Sequence, residues 1–289
     1  MFSRSFVFTL LLALALGLPS FTQAGAYMRV VSWNARHMGW SGETNWSGYA
    51  NQVWQDYGTS SSASNGCDVI LLQEVMYTSS AASFTSALSS ASGVSWSYSC
   101  SALLGRSSYK EYYAVVYRTD RVTLLSSTTY SDSGDKYERE PQIVKIRDKS
   151  TSADYTFINW HTIWGTSSQR QAEIANIPTV FNSVQNGSTA DEDVILLGDH
   201  NASATSSWWA NLKSTSYVSP VVSYKVNDLT TLNSSCAFAS AYDHFWYQAS
   251  YVTEYSSSGR DYIASMCTFY NLSDHAPVFL KLYSSSDTD

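Results

Sequence analysis

Asp193-Val-Ile-Leu-Leu-Gly-Asp-His-Asn201 is the stretch on which the fold turns. Its four consecutive apolar residues lack the alternation of a half-exposed strand, so this strand is expected to be buried on both faces. Three polar residues follow at its end. The same Val-Ile-Leu-Leu run occurs at 69–72, and there Gln73-Glu74 follow.

Similar short runs, rich in β-branched and aromatic residues, occupy 30–33, 112–118, 142–147, 155–160, 244–247 and 277–283. Between them lie helical spacings. Ala50, Val53, Trp54 and Tyr57 share one helix face, with Gly58 as the expected end. Phe84, Ala87, Leu88 and Ala91 do so before Gly93, and Ile177, Val180, Phe181 and Val184 before Gly187. Pro178 in the last implies a kink or a late helix start. The Ser-rich stretches 59–64, 79–92, 255–259 and 284–289 read as surface loops and a frayed end. Strands alternate with helices early and follow one another later. The expected class is α/β, a four-layer sandwich of two packed mixed β-sheets flanked by helices, with residues 25–289 as a single domain.

Composition agrees with a sizeable core: 44% of the 289 residues are apolar, 15% aromatic and 14% charged. The formal charge of −7 excludes a strongly basic nucleic-acid wrapper. Arg4, the apolar run 6–18, Pro19 and Thr22-Gln23-Ala24 form a secretory signal peptide over 1–24, too short for a membrane anchor. Export makes Cys67, Cys100, Cys236 and Cys267 candidates for disulfides. Nearness in the chain favours Cys67–Cys100 and Cys236–Cys267.

The residues at the strand ends carry the chemistry. Run 30–33 delivers Asn34, 68–72 delivers Glu74, 155–160 delivers His161, and 193–197 delivers Asp199 and Asn201. Ser273-Asp274-His275 precedes the last strand, and Asp243 precedes 244–247. Singly, each is an ordinary turn residue. Together, hard oxygen donors suit Mg²⁺, Mn²⁺ or Ca²⁺, and two imidazoles suit proton transfer. That set points to metal-assisted phosphoester cleavage.

Val31-Ser-Trp-Asn34, Leu72-Gln-Glu74, Gly198-Asp-His-Asn201 and Ser273-Asp-His275 resemble the signature blocks of the endonuclease/exonuclease/phosphatase superfamily. Gly105-Arg-Ser-Ser-Tyr-Lys-Glu-Tyr-Tyr-Ala-Val-Val-Tyr-Arg118, Arg139-Glu-Pro141 and Tyr242-Asp243 narrow the resemblance to its deoxyribonuclease I-like branch. The resemblance implies a secreted, monomeric, divalent-cation-dependent endonuclease acting on DNA with little sequence preference, leaving 5′-phosphate ends. It also implies roles. Glu74, Asn34 and Asp274 would hold Mg²⁺ or Mn²⁺. His161 oriented by Glu111, and His275 oriented by Asp243, would act as acid and base respectively. Asp199 and Asn201 would position water and phosphate, and Arg106, Tyr109 and Arg139 would contact phosphates. Structural Ca²⁺ is expected at Asp132, Asp135 and Glu140, and at Asp228 and Thr230.

The match departs from that branch in places. No cysteine lies between Ser131 and Arg139, and Met76 stands where the branch often carries an arginine that enters the minor groove. In a strand, Met76 would share a face with Glu74 and meet substrate. Rival readings are a sphingomyelinase-like phosphodiesterase or phosphatase, with Trp40, Trp46, Trp208 and Trp209 entering a membrane, a cytolethal-distending-toxin-like catalytic subunit, and a non-catalytic secreted module.

Overall fold

The computed structural model describes residues 27–60, 66–186, 193–214 and 223–284. The proposed signal segment 1–24 lies outside them, as do residues 61–64 and 285–289 of the Ser-rich stretches. In chain order the elements are β1 (Tyr27–Met38), α1 (Trp46–Trp54), β2 (Val69–Val75), α2 (Thr78–Ser92), β3 (Trp96–Cys100), β4 (Tyr112–Arg118), β5 (Val122–Thr129), β6 (Gln142–Asp148) and β7 (Asp154–Asn159). There follow α3 (Ser167–Gln185), β8 (Val194–Asp199), α4 (Ala210–Lys213), β9 (Ser223–Lys225), β10 (Asp243–Tyr247), β11 (Tyr255–Arg260), α5 (Met266–Tyr270) and β12 (Val278–Tyr283).

The strands form two six-stranded sheets, ordered β11-β12-β1-β2-β4-β3 and β5-β6-β7-β8-β10-β9. Both are mixed: β1–β2 and β7–β8 pair in parallel, and their other neighbours are antiparallel. The two Val-Ile-Leu-Leu runs show why both faces had to be apolar. From β2, Val69 and Leu71 enter the core between the sheets, while Ile70 and Leu72 pack toward Phe84 and Leu88 of α2. From β8, Ile195 and Leu197 enter the same inter-sheet core, while Val194 and Leu196 pack toward Ile174, Ile177 and Phe181 of α3. Alternate residues thus serve opposite layers, and the four-layer sandwich is what the structure shows.

This topology brings the site to one edge. Parallel strands β1, β2, β7 and β8 end there, and the antiparallel β4, β10 and β12 begin there, so residues after the first set meet residues before the second. Gly198 allows a close backbone approach there. At φ 137° it occupies a conformation that favours glycine, and a Cβ there would lie 2.0 Å from the Trp160 carbonyl oxygen.

Several expectations need correcting. The Ser-rich stretch 79–92 belongs to α2, whose end at Gly93 (φ 71°) is left-handed as the spacing predicts. Residues 255–259 are no loop but part of β11, paired along β12 from Tyr255–Leu282 to Arg260–Val278. An available edge partner outweighs serine's poor strand propensity. Helix α1 stops at Trp54, and Tyr57 is buried beyond it. Helix α3 starts at Ser167 and runs through Pro178, its start fixed by a capping box between Thr166 and Gln169.

Cys236 and Cys267 are disulfide-bonded, but Cys67 and Cys100 are free. Nearness in the chain misled because β4 lies between β2 and β3. Two strand spacings, about 9–10 Å, exceed the reach of a disulfide. The cysteines also stand at opposite strand ends: Cys67 precedes Val69, level with Tyr117, whereas Cys100 is level with Ala114.

Behind the site edge, His200 and His244 are fully buried with rings 4.5 Å apart, packed on Trp209. Their Nε2 atoms lie 3.2 Å from the His244 carbonyl and 3.0 Å from the Ala202 carbonyl, so both donate there as neutral rings. Burial pushes His244 down to about 4 and holds His200 well below its ordinary value, with His244 adding to the effect. Below about pH 6.5 the unfolded chain takes up protons that the folded chain refuses, so stability falls with pH by up to ~1.4 kcal/mol per unit for each ring. Between pH 6.5 and pH 4.5 the urea midpoint of the wild type should therefore lose more, or gain less, than that of His200→Gln. Equal slopes in both proteins would contradict this.

Candidate active site

Two histidine–carboxylate pairs face one aspartate. His161 follows β7 and sets Nδ1 3.0 and 3.1 Å from the two oxygens of Glu111, the residue before β4. His275 precedes β12 and sets Nδ1 2.9 Å from Oδ2 of Asp243, the first residue of β10. With Nδ1 engaged, each ring presents Nε2 to Asp199 Oδ2, at 3.4 Å from His161 and 3.5 Å from His275. All five side chains are buried. Backbone anchors hold the His275 turn to β1: Trp33 Nε1 donates to the His275 carbonyl at 2.6 Å, and Ser273 Oγ to the Asn34 carbonyl at 2.8 Å.

Charges set the proton affinities. Burial pushes the His161 imidazole down and Arg139 adds to that, but Glu111 and Asp199 outweigh both and its pKa is raised. Burial opposes the charged form of His275 too, yet Asp243, Asp199 and Asp274 carry its pKa well above the ordinary value. Burial would raise the Glu111 carboxyl, but His161 and Arg139 hold it below the usual range.

Glu74 stands beside these pairs, half-buried, with Oε1 4.0 Å from His161 Nε2. It accepts from Asn34 Nδ2 and from the His37 backbone N–H, both at 3.0 Å. Asn34 Nδ2 also donates to Asp199 Oδ2 at 3.0 Å, and its Oδ1 accepts from Arg36 N–H at 3.0 Å. Asn34 therefore steers Glu74 and Asp199, with its own oxygen turned away from them. Arg36, His37, Glu74 and Asn201 all have positive φ, at 38°, 54°, 57° and 47°. Such backbone is costly for residues with a Cβ and concentrates where function demands it.

Glu74, Glu111 and His161 offer ligand atoms within 4.8 Å of one another, as do Asp199, Asp243 and His275. Hard carboxylate oxygens in an acidic hollow fit a divalent cation such as Mg²⁺ or Mn²⁺. Asp274 belongs to neither group; it borders a hollow of about 410 Å³ on the His275 side. A second hollow, of about 550 Å³, opens past Tyr109 and Arg139. Both share His37, Glu74, His161 and Trp164.

Other residues are placed differently from expectation. Arg139 is buried, donating to the carbonyls of His161 (3.3 Å) and Thr162 (3.0 Å) with Glu111 at 3.7 Å. It braces the His161 pair from within. Arg106 lies 3.1 Å from Asp132 and 2.7 Å from Asp135, so this guanidinium fills the place expected for calcium, and Glu140 joins no cation-holding group among the described residues. Asp228 is exposed, whereas Thr230 is buried and donates its hydroxyl to Asp243 Oδ2 at 2.6 Å. The Glu74 bulge ends the period-two pattern, and Met76 is buried with its sulfur 3.9 Å from Tyr109 Oη. Met76 is no groove contact. Asn201 is buried, its Nδ2 donating to the Thr162 carbonyl at 2.9 Å.

Residues 31–275 match the Endonuclease/Exonuclease/phosphatase family, most of the chain. The chain belongs to that family. Its sequence relatives include a deoxyribonuclease of Thioalkalivibrio sp. (strain K90mix), 27% identical over 279 residues that cover 91% of this chain and 72% of the relative. Deoxyribonuclease-1 of Bos taurus is 28% identical over 244 residues, covering 80% and 82%. This places the chain on the deoxyribonuclease I-like branch of a family of metal-dependent hydrolases. Among solved structures, an endonuclease/exonuclease/phosphatase family protein of Bacteroides thetaiotaomicron superposes with TM-score 0.63 at 17% identity, covering 89% of this chain and 97% of its own. A mannosyl-6-phosphatase of the same organism gives 0.62 at 17%, covering 88% and 99%. These likenesses show the fold alone.

Sequence reading missed Thr230 as a support, Glu173, whose carboxylate accepts from the Glu138 and Ile163 backbones, and Trp164. Thr230 tests the point. Thr230→Val removes a buried hydrogen bond to a carboxylate, which should cost about 1.5–3 kcal/mol in denaturant unfolding, while Thr230→Ser keeps most of it. The loss should be the same with Ca²⁺ or with a chelator. A loss seen only with Ca²⁺ would return Thr230 to a calcium site.

Proposed function

We propose that this protein is a secreted endonuclease that hydrolyses DNA phosphodiesters with the help of Mg²⁺ or Mn²⁺, with little sequence preference. The observation that carries this reading is the meeting of both imidazole Nε2 atoms at Asp199, each imidazole backed by its own carboxylate, beside Glu74. The sequence relatives named deoxyribonucleases support DNA as the substrate. The apolar segment at 6–18 with its cleavage-like residues supports export, and we read the enzyme as a monomer.

A phosphate seated between the two Nε2 atoms has a proton acceptor on one side and a donor on the other. Against the effect of burial, carboxylates raise the proton affinity of both rings. We keep the assignment made from sequence: His275 takes the proton from water as its oxygen attacks phosphorus, and His161 gives its proton to the departing 3′ oxygen. The P–O3′ bond breaks, leaving a 5′-phosphate and a 3′-hydroxyl. Asp199 and Asn201 position water and phosphate, and Tyr109 offers a hydroxyl kept protonated by burial and the nearby Glu74 and Glu111. Glu74, steered by Asn34, would hold the divalent cation, which when bound polarises a phosphate oxygen and offsets developing charge.

The membrane-acting alternative loses three of its four tryptophans: Trp209 is fully buried, and Trp46 and Trp208 pack against the core clusters, while Trp40 stays exposed. Among the described residues no helix is long and apolar enough to cross a membrane.

Supercoiled plasmid, RNA and sphingomyelin, each offered with Mg²⁺, Mn²⁺, Ca²⁺ or EDTA, separate the readings. Plasmid should be nicked with Mg²⁺ or Mn²⁺ and not with EDTA, and Glu74→Gln should need far more metal for a much lower rate. Turnover of sphingomyelin alone, or a metal titration unchanged in Glu74→Gln, would overturn the proposal.

A further inference from the structure

Trp164 is 73% exposed and borders both hollows that flank Glu74 and His161. It is no loose surface residue. The Arg170 guanidinium lies 5.6 Å from the Trp164 ring and 5.9 Å from the Trp208 ring, and its Nη1 donates to the Asn201 carbonyl at 3.0 Å. The indole is thus held by a cation that is itself fastened to the site, while most of its surface stays open.

His37, which lines both hollows together with Trp164 and His161, stacks on Trp40 at 4.5 Å and 20°. Tyr109 meets both edge-on, at 5.7 and 5.9 Å. The His37 backbone N–H holds Glu74, so this platform too is fixed relative to the site. The arginines nearby face acids or rings, or are buried. Arg106 is paired with Asp132 and Asp135, Arg36 lies 4.0 Å from Glu43 and over Tyr270, and Arg139 is buried. Glu74, Glu138, Asp199 and Asp274 add negative charge around the hollows, and the chain as a whole carries −7.

A nuclease that reads a duplex backbone needs free cations for phosphates. Here the rims offer aromatic faces instead, and stacking on them is open only to bases that are not already stacked in a duplex. We propose that Trp164 and the His37–Trp40 platform are stacking sites for unpaired bases flanking the scissile phosphate, and that single-stranded or locally unpaired DNA is the preferred substrate. This rests on the endonuclease reading above.

The test uses the secreted protein with Mg²⁺, a single-stranded oligonucleotide, its duplex, and single strands with one abasic site stepped away from the scissile bond. The wild type should favour the single strand in kcat/KM, and an abasic site at one flanking position should raise KM about tenfold. Trp164→Ala should raise KM for the intact strand by a similar factor and be indifferent to that abasic site; Trp164→Phe should retain most of the affinity. Because the ring is exposed, its removal leaves the core intact. Equal losses on single strand and duplex, or KM unmoved by every abasic site, would overturn the inference while leaving the nuclease reading standing. A wild type that cuts neither substrate with any divalent cation would overturn both.

Discussion

One carboxylate oxygen joins the two halves of the molecule. Oδ2 of Asp199, at the end of β8 in one sheet, accepts from Asn34 on β1 of the other and faces Nε2 of both site histidines. Those contacts require the sheets to pack with β1 and β8 in line, and the packing is fixed by apolar side chains that alternate between layers. Gly198 permits the β7–β8 approach that puts His161 and Asp199 within reach. The hydrophobic core thus does more than stabilise: it sets the separation at which three buried acids, the half-buried Glu74 and two imidazoles can coexist.

That coexistence is an electrostatic problem with a local solution. Isolated charges in an apolar interior are prohibitive, so each is paired or hydrogen-bonded. Glu111 answers His161 and Arg139, and Asp243 answers His275 and Thr230. Glu74 accepts from Asn34 on one oxygen and from the His37 N–H on the other, and it lines both hollows. An acidic group so placed is the one that a cation completes.

The strand-end residues were legible in the sequence because topology turns a list into a place: a buried apolar run followed by Asn, Glu, His or Asp reads as one edge of a sheet. The helix at 78–92 was legible in Phe84, Ala87, Leu88 and Ala91, although its serines suggested a loop. What escaped depended on partners distant in the chain. Serines at 256–258 become a strand only because β12 offers an edge. Arg106 reads as a phosphate ligand until Asp132 and Asp135 are seen beside it, and Thr230 reads as a calcium ligand until Asp243 is. Trp164 had no signal in the chain, since exposure belongs to the folded molecule.

The central claim is that His161 and His275 act as one device on one phosphate through their shared position at Asp199. Plasmid nicking rates for His161→Ala, His275→Ala and the double variant measure this directly. Each single change should cost about 10²–10⁴ in rate, and the double variant should be little slower than the slower single one, as for groups that work as a unit. A double variant slowed by the product of the two factors, or either single variant at full rate, would contradict the account.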